Sequence, residues 1–455
     1  MIIIKRRLQC RVILSILLLT SVPYVLPGQK AQDTLSAKVT LQDCITYALQ
    51  NQAQVKQAII DEAITRKDIG ISLSGWYPQL EFDANVQRYI QIPDAYYPNL
   101  LDPTAPSLKF PGASRYSSAG IFSANQALYN SNLLYASRNA GELRRQSEES
   151  TRQMRIRVYV DVNKAFFDVL LTEEELKVLD EDILRLQRNY KDAYNLYQNG
   201  LTDKIDFQRA SIGLSNVRAQ RRSAEESVKA KYAVLKQVMG VPPEKQLSLS
   251  YDSTKFENEI LIDTAKVLDY NNRVEFQLMQ SSLNMQNYRI SYFKYSFIPV
   301  LSAYFNYSPQ FGNSQFTTLY DSNNPSSVIG LKLIFPLFQG MQRIENLGKA
   351  KLQYSRLQLG MDYLKSQISS EYSNALARYL SNLNELKTAK LNILTARNIY
   401  NTVKLQYERG VKAYLEVLVS ETDLRSAELN YLDILFQVLS SKVDLEKALG
   451  TIQNI

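Results

Sequence analysis

The 455-residue sequence predicts a mainly α-helical protein with a smaller transmembrane β part, in which one long helical hairpin occurs twice. Three observations carry that expectation. First, Leu176, Ile183, Tyr190 and Tyr197 step by seven residues, and Leu386, Ile393, Tyr400 and Tyr407 repeat the series 210 positions later. A second series runs between them, Leu179, Leu186 and Ala193 in one copy and Ala389, Ala396 and Val403 in the other. Two apolar positions per heptad, held for about four heptads, mark a helix whose seam packs in coiled-coil fashion. Second, four short segments switch from helical spacing to strict alternation. Third, the chain begins like a secreted protein.

That beginning sets the compartment. Lys5-Arg6-Arg7 precedes an apolar run from Val12 to Val25, with the small residues Gly28 and Ala31 where cleavage can fall. Residues 1–31 therefore read as a signal peptide, too short in its apolar part for a stable spanning helix. They also carry five of the cations and no acid, so the formal net charge of +8 falls to about +3 without them. A nucleic-acid partner loses its basis. Cys44 is left as the one cysteine after residue 31, which excludes an internal disulfide, and its apolar helical face makes it inert core.

The remaining elements follow in order. Thr40 with Asp43 reads as a capping-box variant that opens a helix, and the helical pattern runs to Gly75-Trp76-Tyr77-Pro78. In Leu80–Gln87 every even residue is apolar and every odd one polar, the pattern of a strand with one face in each environment. Residues 92–114 read as a long irregular loop, and a second strand covers roughly 116–129. From about 130 to 198 only Gly141 interrupts the helix formers, giving a rod on the order of 100 Å. Gly200 turns the chain, a second helix runs to Gly240, and Val241-Pro242-Pro243 opens a linker to about Leu261. The plan then repeats. A helix is expected over 262–297, strand three at Leu301–Ser308, a loop over 309–327, strand four at Ile329–Phe335, and a second hairpin over 341–449 that turns at Gly410. The chain thus divides into a first repeat, 32–261, and a second, 262–455.

Strands of ten to twelve residues are long enough to cross an outer membrane at a tilt. Four cannot close a barrel, and an open edge in lipid leaves unpaired backbone groups at several kcal/mol each. Three copies supply twelve strands, within the range of known barrels. Trp76 and Tyr77, just before strand one, suit the aromatic belt of a membrane interface. A soluble β-head on a periplasmic coiled-coil stalk, a scaffold that conducts nothing, satisfies the same alternation.

This layout resembles the TolC family of outer-membrane efflux ducts over essentially the whole chain after the signal. The resemblance is carried by Leu41, Cys44, Ile45, Ala48, Leu49 and Asn51 in the first helix, and by Phe335-Pro336-Leu337-Phe338-x-Gly340 after strand four. Ala127-Leu128-Tyr129-Asn130 is a degenerate partner of the latter. Tyr197-x-x-Gly200 with Asp206, and Tyr407-x-x-Gly410 with Glu416, are similar to the family's two periplasmic turns.

The resemblance implies a homotrimer in outer-membrane lipid, with a twelve-stranded barrel continued by a helical tunnel through the periplasm. It implies a periplasmic adaptor and an inner-membrane pump as partners in a tripartite efflux or type I secretion system. By position it implies that Asp206, Tyr407, Lys412 and Glu416 form the aperture. Lys412 stands where an arginine is usual, and Val419 where a second acidic ring is found. Asp206 and Glu416 equally suit ordinary solvated acids at helix N-termini.

Chemistry at the other end of the scale is excluded. With no histidine, the chain lacks imidazole general bases, imidazole-dependent nucleophile triads and histidine metal ligands. No glycine-rich phosphate loop occurs. No cofactor, no metal and no enzymatic activity are expected. The acidic runs Glu173-Glu174-Glu175 and Asp180-Glu181-Asp182 read as solvated helix faces.

Overall fold

A computed structural model of the chain describes residues 38–98, 106–250, 260–263 and 266–452. The expected signal peptide lies outside them. Up to residue 250 the elements are β1 (Lys38–Val39), α1 (Leu41–Asn51), α2 (Ala53–Leu73), β2 (Gln79–Arg88), β3 (Asp94–Tyr97), β4 (Leu108–Pro111), β5 (Tyr116–Tyr129), α3 (Ser131–Gln198), α4 (Lys204–Met239) and β6 (Ser248–Leu249). After residue 266 come α5 (Val274–Tyr295), β7 (Val300–Asn313), β8 (Asn323–Ile334), α6 (Gln342–Glu408) and α7 (Tyr414–Leu449).

The long strands form one antiparallel sheet in the order β2-β5-β7-β8. Register sorts their side chains onto two faces, because directly opposed residues share a face. Leu80 lies opposite Ala124, Ala124 opposite Phe305 and Phe305 opposite Ile329. Glu81, Ser123, Asn306 and Val328 stand on the other face, with Lys332 opposite Ser302. The apolar face is bare: Phe82 is 68% exposed and Leu331 70%. Among the described residues β2 and β8 each have one unpaired edge.

The helices continue the strands. α3 packs between α2 and α5, and α5 packs on α6, so the helical layer repeats the order of the sheet. α3 with α4, and α6 with α7, are the two hairpins. Their heptad seams are where the sequence puts them. Leu179 and Leu186 cluster with Leu214, Val217 and Ala224, and Leu176 and Ile183 pack against that cluster. Tyr400 joins Ala210, Tyr414, Val417 and Leu424, with Tyr190 and Tyr407 packed alongside. Cys44 is fully buried, and burial pushes its thiol up to about 12, as an inert thiol requires.

Several expectations are corrected. The first helix is not continuous: it breaks at Gln52, whose extended backbone ends α1 while its side chain accepts a hydrogen bond from the Gln54 amide to open α2. The cause is tertiary, since the Asn51 carbonyl and Gln52 Cα approach to 3.0 Å of where a Cβ on Gly240 would stand. α2 also stops at Leu73, before a short 3-10 turn over Ser74–Trp76. The helix expected from 262 begins at Val274, because the preceding chain is pinned from outside. Arg273 donates to the Ala448 carbonyl at 2.9 Å and to Glu371 at 2.7 Å, and the Tyr379 hydroxyl donates to the Ile260 carbonyl at 2.8 Å.

The loop over 92–114 contains the β3–β4 hairpin, closed by Lys109 Nζ at 2.7 Å from Asp94 Oδ2 and by an edge contact of Tyr97 on Phe110. Four-residue strands are too short to show a period. Strands three and four likewise reach further than expected, into 309–313 and 323–328 of the expected loop. Finally, the linker after Pro243 supplies β6, which pairs in parallel with β1.

Candidate functional site

The two hairpin turns are built alike. Gly200 and Gly410 adopt φ of 70° and 73°, a left-handed conformation that glycine takes without steric cost. In each, the next amide reaches back to close the helix end, Leu201 to the Leu196 carbonyl and Val411 to the Gln406 carbonyl, both at 2.9 Å. The following helices differ in their caps. The Asp203 side chain accepts from the Ile205 amide at 3.2 Å, whereas the methyl group of Ala413, at the equivalent position, has no acceptor to offer.

Asp206, Tyr407 and Lys412 all line one cleft of about 580 Å³ between the tips, and Glu416 stands beside it, bonded to Lys412. At the rim of the cleft two polar bonds stay within one hairpin each. The Thr202 hydroxyl donates to Asp206 at 2.7 Å, and Lys412 Nζ donates to Glu416 at 2.5 Å. Positions 202 and 206 thus make the same bond as 412 and 416, one through a hydroxyl and the other through an ammonium. Tyr407 packs edge-on against Tyr414, and the hydroxyls of both are buried without a hydrogen-bond partner among the described residues. Burial raises the Tyr407 hydroxyl above its usual range, and the carboxylates of Asp206 and Asp192 add to the shift. Of the two aromatics expected at a membrane interface, Trp76 is half-buried with its indole N–H donating to Ser137 at 3.0 Å, and Tyr77 is exposed.

The floor of the cleft holds a set of buried charges that sequence reasoning missed. Asn189, which lines the cleft, donates to Glu421 Oε2 at 2.9 Å. Glu421 is 1% exposed and Asp182 fully buried, and they come from different hairpins. Arg185 lies 3.1 Å from Asp182 and 3.8 Å from Glu421, while Arg425 holds the other Asp182 oxygen at 2.9 Å. Arg397 donates to Glu428 at 2.9 Å. Burial pushes Glu421 up to about 7, and the neighbouring Asp182 carboxylate adds to it. Asp182 therefore does not belong to a solvated face. A signal was present: Glu421 interrupts the apolar stripe of Tyr414, Val417 and Leu424, all on one side of α7.

Long helical hairpins set end-on to a sheet with a bare apolar face and unpaired edges define a class, the outer-membrane channel made partly of strands and partly of helices. Comparison with known proteins gives the family. The model of the outer membrane efflux protein family matches residues 44–241 and 271–451, and the chain belongs to that family. It is similar to the cation efflux system protein CusC of Escherichia coli K12, 21% identical across 89% of this chain and 85% of that one. It is also similar to the proteases secretion protein PrtF of Dickeya chrysanthemi, 18% identical across 90% and 88%. Its fold matches a crystal structure of CusC with a TM-score of 0.74 at 16% identity, over 90% of this chain and 91% of the other. The protein is an exit duct of the outer membrane that extends into the periplasm, and the non-conducting scaffold is set aside.

Proposed function

We propose that three copies of the chain close a twelve-stranded barrel in outer-membrane lipid, and that their hairpins continue it as a tunnel. A periplasmic adaptor and an inner-membrane pump then deliver substrate to its tip. The observation that carries this is the open four-stranded sheet, whose unpaired edges and bare apolar face need partner strands and lipid. Each subunit is two structural repeats, 32–261 and 262–455, a division supported by turns and bonds that recur 210 positions apart. Conduction is passive, with energy from the pump and no covalent step. One relative is named for cation efflux and another for protease secretion, so the pump, not this fold, selects the substrate. Trp76 and Tyr77 anchor the periplasmic interface of the barrel.

The aperture lies at Asp206, Tyr407, Lys412 and Glu416. Three copies of Glu416 around a narrow axis focus a negative potential that draws cations in and holds anions off. Lys412, which pairs with Glu416 inside one hairpin, is the counter-charge that tunes it. In planar bilayers the Glu416→Ala channel is expected to lose most of the block that divalent cations impose on the wild type. Block that is unchanged removes Glu416 from the constriction.

A further inference from the structure

A groove of about 260 Å³ lies where α3 leaves β5 and α5 approaches β7. Five tyrosines line it: Tyr129 from the sheet, Tyr135 from α3, and Tyr288, Tyr292 and Tyr295 from α5. Its two ends differ in character. At the sheet end, Tyr129 pairs with Leu301, which pairs in turn with Leu333. Tyr129 therefore stands on the same face as Phe305 and Leu331, the lipid face, and Ile298 beside it is exposed. At the far end stands Arg138, the one charged residue in the lining, seven residues along α3 from Ser131 and thus about 10 Å further from the sheet. Arg138 is exposed and has no ion-pair partner among the described residues. The nearest acid along α3, Glu142, is engaged by Asn284 Nδ2 at 3.0 Å.

The groove also escapes subunit assembly. It lies between α3 and α5, the two inner members of the helical layer, and below β5 and β7, the two inner strands. A second copy joining at β2 or β8 leaves it open.

We propose that this groove binds a glycerophospholipid of the periplasmic leaflet. An apolar end continuous with the lipid face takes the acyl chains. A lone guanidinium, set on the periplasmic side, takes the phosphate through paired N–H donors. Tyrosines between them match the ester region, apolar on the ring and hydrogen-bonding at the hydroxyl. The polarity of the groove runs in the direction in which a lipid of that leaflet stands. The inference rests on the outer-membrane placement of the sheet and is independent of the aperture at the opposite end of the helices.

Native mass spectrometry of the full chain, purified in mild detergent and titrated with dioleoyl phosphatidylglycerol, tests it. The wild type is expected to hold one lipid per chain, and Arg138→Gln to bind about tenfold more weakly. Arg138→Lys, which keeps the charge but not the paired donors, is expected to fall between the wild type and Arg138→Gln, and Tyr292→Ala loses affinity with the arginine in place. Inorganic phosphate and dioleoylglycerol, offered separately, give no comparable occupancy. Equal binding by wild type and Arg138→Gln overturns the proposal, as does binding of either fragment as tightly as the whole lipid. A groove built for a partner protein instead leaves the purified wild type indifferent to lipid, and that result also counts against it.

Discussion

Glu421 sets the pH response of the tip. It faces Asp182 and Arg185 from α3 and Tyr400 from α6, with Arg425, Glu428 and Tyr414 on its own helix. Its folded pKa of about 7 lies above the value near 4.5 of a free glutamate, so the folded state holds a proton that the unfolded state has lost. Stability contributed by this group is complete below about pH 4.5 and is lost as pH rises toward 7. The slope is at most about 1.4 kcal/mol per pH unit within that window. Thermal unfolding midpoints measured from pH 5 to pH 8 are expected to fall with pH in the wild type and to flatten in Glu421→Gln, which keeps the amide-bonding shape without the charge. An equal fall in both places the titrating group elsewhere. Because Asp182 and Glu421 lie on different hairpins, the same ionisation loosens the contact of α3 with α7.

At the scale of the element, four glycines at 200, 410, 240 and 450 do the same backbone work and tolerate change differently. All four have φ near 70°, so any Cβ there costs about 1 kcal/mol of strain. At Gly200 and Gly410 nothing else stands in the way. At Gly450 a Cβ would meet the Asn272 carbonyl oxygen at 2.7 Å, and at Gly240 the Asn51 carbonyl oxygen at 3.0 Å. Gly450→Ala is therefore expected to destabilise by several kcal/mol and Gly200→Ala by about 1 kcal/mol, read as loss of folded protein in denaturant titrations. Similar losses at both sites contradict the close approach. The Gly240 contact stands where the helix breaks at Gln52, and the Gly450 contact stands beside the Arg273 bonds that precede Val274, a coupling between segments 189 and 178 residues apart that local pattern cannot carry.

For the whole molecule, membrane insertion depends on one face of the sheet. An arginine on the lipid face near mid-membrane costs about 2–4 kcal/mol, and the opposite face lines water. Leu331→Arg is expected to reduce the heat-resistant, membrane-extracted form, while Asp83→Asn leaves assembly intact and shifts single-channel conductance. Reduced assembly in Asp83→Asn, or an unaffected Leu331→Arg, inverts the assignment of faces. The sequence made this legible, since the alternation in Leu80–Gln87 and Leu301–Ser308 states which residues share a face before any register is known. It made the tip turns legible too, because Gly200 and Gly410 sit at the ends of matching heptad series.

Local pattern by itself determined the four long strands, the rods and the seams, because each depends on periodicity within a few turns or a few strand residues. The family resemblance, not the period, drew attention to Asp206, Tyr407 and Lys412, and these three line one cleft. Only the tertiary structure decided which charges are buried. Asp182 reads as one acid among three neighbours, and its solvation is removed by α7, which lies more than 230 residues away in the chain. Glu421 acquires its proton affinity from that same packing, and the tyrosine groove at the other end exists only where α3 and α5 meet. Burial and charge coupling act through space between distant segments, and period carries no record of them.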